Sequence, residues 1–274
     1  MIIKRHTATI LGRMSRMFFD FEEQVFRTSQ IPPLERMVVS ESSRYDCQVI
    51  GFANPYSFQI LYRRSELVDS VDHWYSDGGF LCSIIGLGRG EQVPRYSFDF
   101  SSIADGVFEY AKSNCLSVGL LGGTEDEITA ACEYLQSRYL ELPIVWSRNG
   151  FFRDADKQDG GRSEALDDLV ASGAEIIIIG MGTPLQEEVA VELKQKMLSQ
   201  RTETRTLPVI FTCGGFLSQT ALGGDYYPEI IKKTGLRWVY RAFHAQHVRK
   251  RLLRDYPRFV ALVFVCRLCR LILD

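Results

Sequence analysis

The sequence predicts an α/β fold: a Rossmann-like parallel sheet with helices on both faces, extended by a C-terminal basic helical appendage. Three observations carry that expectation. Short, almost wholly apolar runs such as Leu116–Leu121 and Glu175–Gly180 read as strands buried on both faces, the signature of a parallel sheet. Amphipathic stretches with helix-start signals separate them, so strand and helix alternate in tandem. Charge is also unevenly spread. Lys232–Asp274 holds eleven Lys/Arg against two acidic residues and is therefore +9, which leaves −11 on the remainder of a chain whose net charge is −2. These contrasts divide the chain into an α/β domain over residues 1–228 and a basic helical appendage over 229–274.

Taken in order, Thr7–Leu11 reads as a short strand and Asp20–Thr28 as a helix, with Phe21, Val25 and Phe26 at helical spacing. Ile31-Pro-Pro-Leu34 is a break. Cys47–Phe52 is β-rich. Asn54-Pro55 then opens a helix to about Asp69, with proline where a missing N–H costs nothing. His73–Ser76 is a short strand, Phe80–Ile85 a short apolar helix, and Gly86–Phe100 a loop containing glycine and arginine. Ser101–Asn114 is a serine-capped helix, Leu116–Leu121 a strand, and Thr124–Tyr139 a helix opened by a capping box of Thr124 and Glu127. Ile144–Ser147, Glu175–Gly180 and Leu207–Cys213 are strands, separated by helices over Arg162–Ser172 and Pro184–Leu198. Tyr256-Pro257 breaks a basic, aromatic helix ahead of a very apolar segment.

A chain of 274 residues, 46% hydrophobic and 24% charged, can bury a substantial core without staples. Its seven cysteines (47, 82, 115, 132, 213, 266, 269) are scattered through mostly apolar runs, which indicates free thiols in a reducing compartment. Cys266-x-x-Cys269 lies in an apolar helix and reads as packing. Lys4, Arg5 and His6 precede only Thr7–Leu11, too short for the apolar core of a secretion signal. Phe259–Cys266 is too short to cross a bilayer, which needs about 20 apolar residues. The expected location is therefore cytoplasmic. The tail interleaves arginines with Trp238, Tyr240, Phe243 and Tyr256, a composition suited to lying on the anionic inner face of the cell membrane. No nucleic-acid-binding module is recognisable, so nucleic acid is not expected as a partner. Assembly into a homo-oligomer is compatible with the sequence.

Ligands of open parallel sheets bind at the carboxyl ends of the strands. Asn54 closes the first β-rich run of that sheet and Asp77 the next. Both residue types are also favoured helix caps, so position alone leaves a capping role open. Three later strands end in glycine: Leu121-Gly-Gly123, Gly180-Met-Gly182 and Cys213-Gly-Gly215. Glycine there lets backbone N–H groups approach a ligand, and the helix that follows favours an anion, so a nucleotide diphosphate suits the rim. There is no G-x-G-x-x-G with a downstream acid and no Walker A lysine, which argues against a standard dehydrogenase or P-loop enzyme. Asp154-Ala-Asp156 is a weak metal candidate, and His244-x-x-His247 lacks the ligands that would complete a site.

The ordered set Ala53-Asn-Pro55, Ser76-Asp-Gly-Gly79, Leu121-Gly-Gly123, Asn149-Gly-Phe-Phe152, Gly180-Met-Gly-Thr-Pro-Leu-Gln-Glu187 and Gly235-Leu-Arg-Trp-Val-Tyr-Arg241 resembles the WecG/TagA/CpsF family of bacterial glycosyltransferases, over about Thr9–Phe259. The resemblance implies an inverting, membrane-associated enzyme of cell-surface or exopolysaccharide synthesis. Such an enzyme moves a hexose, of the N-acetylmannosamine or glucose type, from a UDP-sugar to a polyprenyl-diphosphate-linked saccharide. It implies no catalytic metal and no cofactor, with the UDP-sugar as co-substrate. The family aspartate falls on Asp77, the expected general base, and Asn54 is expected to orient sugar or acceptor. Gly78, Gly122, Gly123, Gly180, Gly182, Gln186, Glu187, Gly214 and Gly215 are expected to line the substrates. Arg95, Arg237 and Arg241 are expected to bind them through charge, with Arg89 as the alternative to Arg95. The chain departs from the family at Phe52, where threonine is common, across Glu91–Asp99, and at Ser218, where aspartate is common. These departures leave a second reading, a catalytically weak nucleotide-sugar-binding or scaffold protein at the membrane.

Overall fold

The structure, a computed structural model, describes residues 2–38, 46–152, 160–200, 207–223, 249 and 251–273. It begins with α1 (Ile2–Ser29) and α2 (Pro33–Val38), followed by β1 (Gln48–Ala53), α3 (Pro55–Leu61), α4 (Ser65–Ser70), β2 (His73–Ser76) and α5 (Gly79–Arg89). The second half brings α6 (Ala104–Ser113), β3 (Val118–Gly122), α7 (Glu125–Arg138), β4 (Ile144–Arg148), α8 (Gly160–Ala171), β5 (Ile176–Gly180), α9 (Leu185–Ser199), β6 (Val209–Thr212) and α10 (Phe216–Ala221). A π-helical turn, Arg251–Asp255, then runs into α11 (Tyr256–Leu273). Among the described residues the strands form one six-stranded sheet in the order β2-β1-β6-β5-β3-β4, with every pairing parallel.

The period of two along each strand separates two cores. Ile177 and Ile179 join Val49, Ala53, Trp74, Leu121 and Ile210 beneath α1, α3, α5, α9 and α11. Ile176 and Ile178 join Ile50, Phe52, Tyr75 and Phe211 beneath α6, α7 and α10. Helices therefore cover both faces, as the apolar runs predict.

Several local expectations are corrected. Thr7–Leu11 is helical, part of the 28-residue α1. Met14, Phe18, Phe21 and Val25 recur on one face of α1 and pack on the core, a period that a five-residue window cannot display. The single helix expected over Asn54–Asp69 is two, because Arg64 leaves helical geometry (φ −116°, ψ 60°). That turn lets both Tyr62 and Val68 reach the same core. Gly86–Arg89 continues α5 until Gly90 ends it in the left-handed region (φ +70°). Ser101 does not cap α6, which begins at Ala104 without a side-chain cap. Its N–H and hydroxyl are instead held by Asp99, the former at 2.8 Å. Pro257 does not end the helical winding, since the π-helical turn Arg251–Asp255 passes directly into α11 at Tyr256.

The last helix is anchored. Phe259, Val263 and Cys266 are buried, Phe259 lies against Phe18 and Phe58, and Ser15 Oγ donates to the Cys266 carbonyl at 3.0 Å. The seven cysteines are free thiols, and Cys266 serves packing. Among the described residues no helix is long and apolar enough to cross a membrane. Phe259→Ala should lower unfolding stability by about 3–5 kcal/mol in urea denaturation, the usual cost of emptying a buried phenylalanine site. A change below about 1 kcal/mol would show that α11 is not part of the cooperative core.

Candidate active site at the carboxyl rim of the sheet

Because all six strands run the same way, their carboxyl ends meet along one rim. Ala53 pairs with Ser76, and the Asp77 N–H donates to the Ala53 carbonyl at 2.7 Å. Asn54 and Asp77 therefore leave adjacent strands side by side. The capping role left open for Asn54 is real: its Oδ1 accepts from the N–H groups of Tyr56 and Ser57 at 3.0 and 3.1 Å. Ser57 Oγ accepts from the Asn54 N–H in return, completing a capping box. That geometry leaves the Nδ2 amide as the group Asn54 can offer a ligand.

Asp77 caps nothing. The cap position of α5 is Gly78, and the Asp77 carboxylate is 29% exposed, with Oδ1 3.6 Å from Arg95 Nη2. Arg95 is seated by Asp99 at 2.7 Å and by Ser97. Burial works against the charge of Asp99, but Arg95 and the Ser101 and Ser97 hydroxyls outweigh it and hold the carboxyl below its usual range. Burial likewise opposes the Arg95 charge, and Asp77 and Asp99 outweigh it. Arg89, the alternative, turns away. It reaches Glu23 at 2.5 Å and Glu22 at 3.8 Å on α1, and its guanidinium lies over Phe26.

The glycines divide by environment. Gly122 and Gly180 are register partners, and a Cβ on Gly122 would lie 2.2 Å from the Gly180 carbonyl oxygen. A Cβ on Gly180 would lie 2.8 Å from Cys213 Sγ and from the Gly214 oxygen. Both glycines let the ends of β3, β5 and β6 converge. Gly123 sits against Glu127, and Gly215 lies near Gln219. Gly78, Gly182 and Gly214 face open space, with no described atom within 4 Å of an added Cβ.

Gln186 and Glu187 are buried, 3% and 0% exposed, and act within the rim. Gln186 Oε1 accepts from the Gly214 N–H at 3.0 Å, and its Nε2 donates to Glu187 Oε1 at 2.8 Å. Thr183 Oγ1 donates to the same oxygen at 3.1 Å. The pair fixes the turn after β6. Burial raises the Glu187 pKa, and the bonds from Gln186 and Thr183 only partly oppose it.

Of the family departures, the Glu91–Asp99 segment supplies Arg95 to the site, while Phe52 and Ser218 make contacts of their own. Phe52 is 7% exposed and stacks on Tyr75 at 5.9 Å, with Phe98 edge-on. Ser218 Oγ donates to Glu127 Oε2 at 2.9 Å. Arg237, Arg241, Asp154, Asp156, His244 and His247 lie outside the described residues. Sequence reasoning missed the seat of Arg95. Its signal was present, because Arg95, Ser97 and Asp99 stand at alternate positions in the sequence.

The family described as Glycosyl transferase WecG/TagA/CpsF matches residues 28–271 of this chain. A UDP-Gal:alpha-D-GlcNAc-diphosphoundecaprenol beta-1,4-galactosyltransferase of Shigella boydii is 35% identical over 212 residues, covering 77% of this chain and 84% of that protein.

The buried Glu187 carboxyl gives a signed prediction. Its native pKa lies above the reference value of 4.5, so the folded state holds the proton more tightly than the unfolded one. Native stability therefore falls as pH rises from about 4.5 through the native pKa. Glu187→Gln removes that dependence. Its melting temperature relative to the unmodified protein should rise as pH increases above about 4.5 and level off above the native pKa, and a pH-independent difference would refute the assignment.

Proposed function

The chain belongs to the WecG/TagA/CpsF family of glycosyltransferases, and we propose that it moves a hexose from a UDP-hexose to a saccharide carried on a polyprenyl diphosphate, with inversion at the anomeric carbon. The observation that carries this reading is the half-exposed Asp77 carboxylate just after β2, beside Asn54 just after β1 and Arg95 at 3.6 Å. In the proposed step the acceptor hydroxyl oxygen bonds to the anomeric carbon while its proton passes to Asp77. The bond from that carbon to the UDP oxygen breaks, and the electron pair leaves on the diphosphate. Arg95, 3.6 Å away, places a positive charge beside the Asp77 carboxylate. The open turns at Gly182 and Gly214, with Arg237 and Arg241, receive the departing diphosphate charge. The resemblance to the Shigella boydii enzyme makes galactose the first donor to test, followed by donors of the N-acetylmannosamine and glucose types.

A lipid-linked acceptor suits a peripheral membrane position. Leu253, Val260, Phe264, Leu268 and Leu271 form one exposed stripe along the C-terminal segment, with Leu253, Phe264 and Leu271 at 81%, 68% and 83%. Arg254 and Arg258 are also exposed. An apolar stripe flanked by arginines fits the interface of an anionic leaflet. The scaffold reading drew on Phe52 and Ser218, and neither departure removes a group from Asp77, Asn54 or Arg95.

Asp77→Asn should lower transfer from the preferred UDP-hexose by about 10²–10⁴-fold, the usual contribution of a positioned base, with donor affinity unchanged. Equal transfer by both proteins would overturn the base assignment. Absence of transfer by the unmodified protein with any UDP-hexose would favour the scaffold. The double variant Phe264→Glu, Leu271→Glu should move the protein from anionic vesicles to the supernatant in a sedimentation assay without a lower melting temperature. Unchanged sedimentation would exclude the stripe as the membrane face.

A further inference from the structure

Phe80 is a large apolar side chain in the first turn of α5, three residues beyond Asp77, and it joins neither core. It is 39% exposed. Its ring stacks on Tyr256 with centroids 5.5 Å apart and planes 18° from parallel. Tyr256 opens α11, and the preceding turn is tied to the site from the other side. Gln59 on α3 donates from Nε2 to the Asp255 carbonyl at 2.9 Å. The helix capped by Asn54 and the helix that follows Asp77 are thus bridged by the start of the C-terminal helix. Between Asp77 and Phe80 the chain is Gly78-Gly79, and an added Cβ at either position would meet no described atom within 4 Å. An aromatic pair therefore stands beside open space next to the reacting carboxylate.

A pyranose ring has a face of C–H bonds that stacks on an aromatic ring, while its hydroxyls remain available to polar groups. Strand order indicates which sugar meets this pair. β2, with Asp77, is the edge strand, and the glycine-ended strands β6, β5 and β3 all lie beyond β1. The nucleotide side of the rim is therefore on the far side of Asn54, and Phe80 and Tyr256 stand on the near side. The exposed apolar stripe of α11 begins at the same place, so a lipid chain lying along it leads to the aromatic pair.

We propose that Phe80 and Tyr256 form the stacking platform for the sugar of the lipid-linked acceptor, and so set acceptor specificity without contributing to donor binding. This rests on the transfer reading of the site, and the test separates the two. The full chain is titrated by calorimetry with a water-soluble N-acetylglucosaminyl diphosphate bearing a short prenyl chain, in the presence of UDP, and separately with UDP-hexose. Phe80→Ala and Tyr256→Ala should bind the acceptor analogue about threefold to tenfold more weakly, with UDP-hexose affinity and melting temperature unchanged. Phe80→Tyr and Tyr256→Phe should restore acceptor affinity. In the transfer assay the alanine variants should raise KM for the acceptor and leave kcat at saturation. Unchanged affinity in the alanine variants, or an equal loss for acceptor and donor, would overturn the platform. If the unmodified protein binds the analogue in a Phe80-dependent way yet transfers no sugar, the platform stands and the transfer reading fails.

Discussion

The hydrogen bond from the Asp77 N–H to the Ala53 carbonyl, 2.7 Å long, extends the parallel β1–β2 ladder one residue beyond its last paired positions. It is the contact on which the site depends. It sets the two strand ends level, so that Asn54 and Asp77 depart together into the same space. Parallel pairing repeats this levelling across the sheet, and Gly122, Gly180 and Gly214 arrive at the same rim. Antiparallel pairing would have sent alternate strand ends to the opposite edge. The convergence is tight enough at Gly122 and Gly180 that no other residue fits without moving backbone.

Polar residues at the rim fall into those that touch the open space and those that hold it in shape. Asp77 and Arg95 are half-exposed and face each other. Asp99 and Ser97 seat Arg95, and the Gln186–Glu187 pair seats the turn at Gly214. Asn54 does both, spending its oxygen on the α3 cap and keeping its amide. Buried polar groups need partners, and here the partners are the backbone of the very turns that shape the rim.

The basic C-terminal segment is divided in the same way. Arg267 reaches inward to the Ile84 carbonyl at 2.9 Å, and Arg270 lies over the Phe19 ring. Glu22 on α1 lies opposite. Burial raises its pKa, and Arg267, Arg89 and Arg270 oppose that shift. Glu22 of α1 and the inward arginines of α11 thus meet beside an apolar seam of Phe18, Phe259 and Cys266, while Arg254 and Arg258 stay exposed. Anchoring this helix brings Tyr256 to Phe80.

The parallel sheet, its two covered faces, the cap at Asn54 and the capping box at Thr124 were legible in the sequence, because each is written in short-range pattern: apolar runs, alternation, and cap residues at fixed spacing. Asp77 and Arg95 could be named from ordered motifs. The length of α1, the break at Arg64 and the capture of Ser101 by Asp99 were not legible, because each is decided by what packs against or bonds to the segment. The same holds for function. The sequence by itself determined the chemistry on offer, a carboxylate, an arginine and glycine-ended strands at one rim. Only the tertiary structure chose Arg95 over Arg89, placed Phe52, Gln186 and Glu187 inside, and brought Tyr256 to Phe80 from across the chain. Those choices depend on contacts between residues far apart in sequence, and no local spacing records which of two arginines will find the nearer carboxylate.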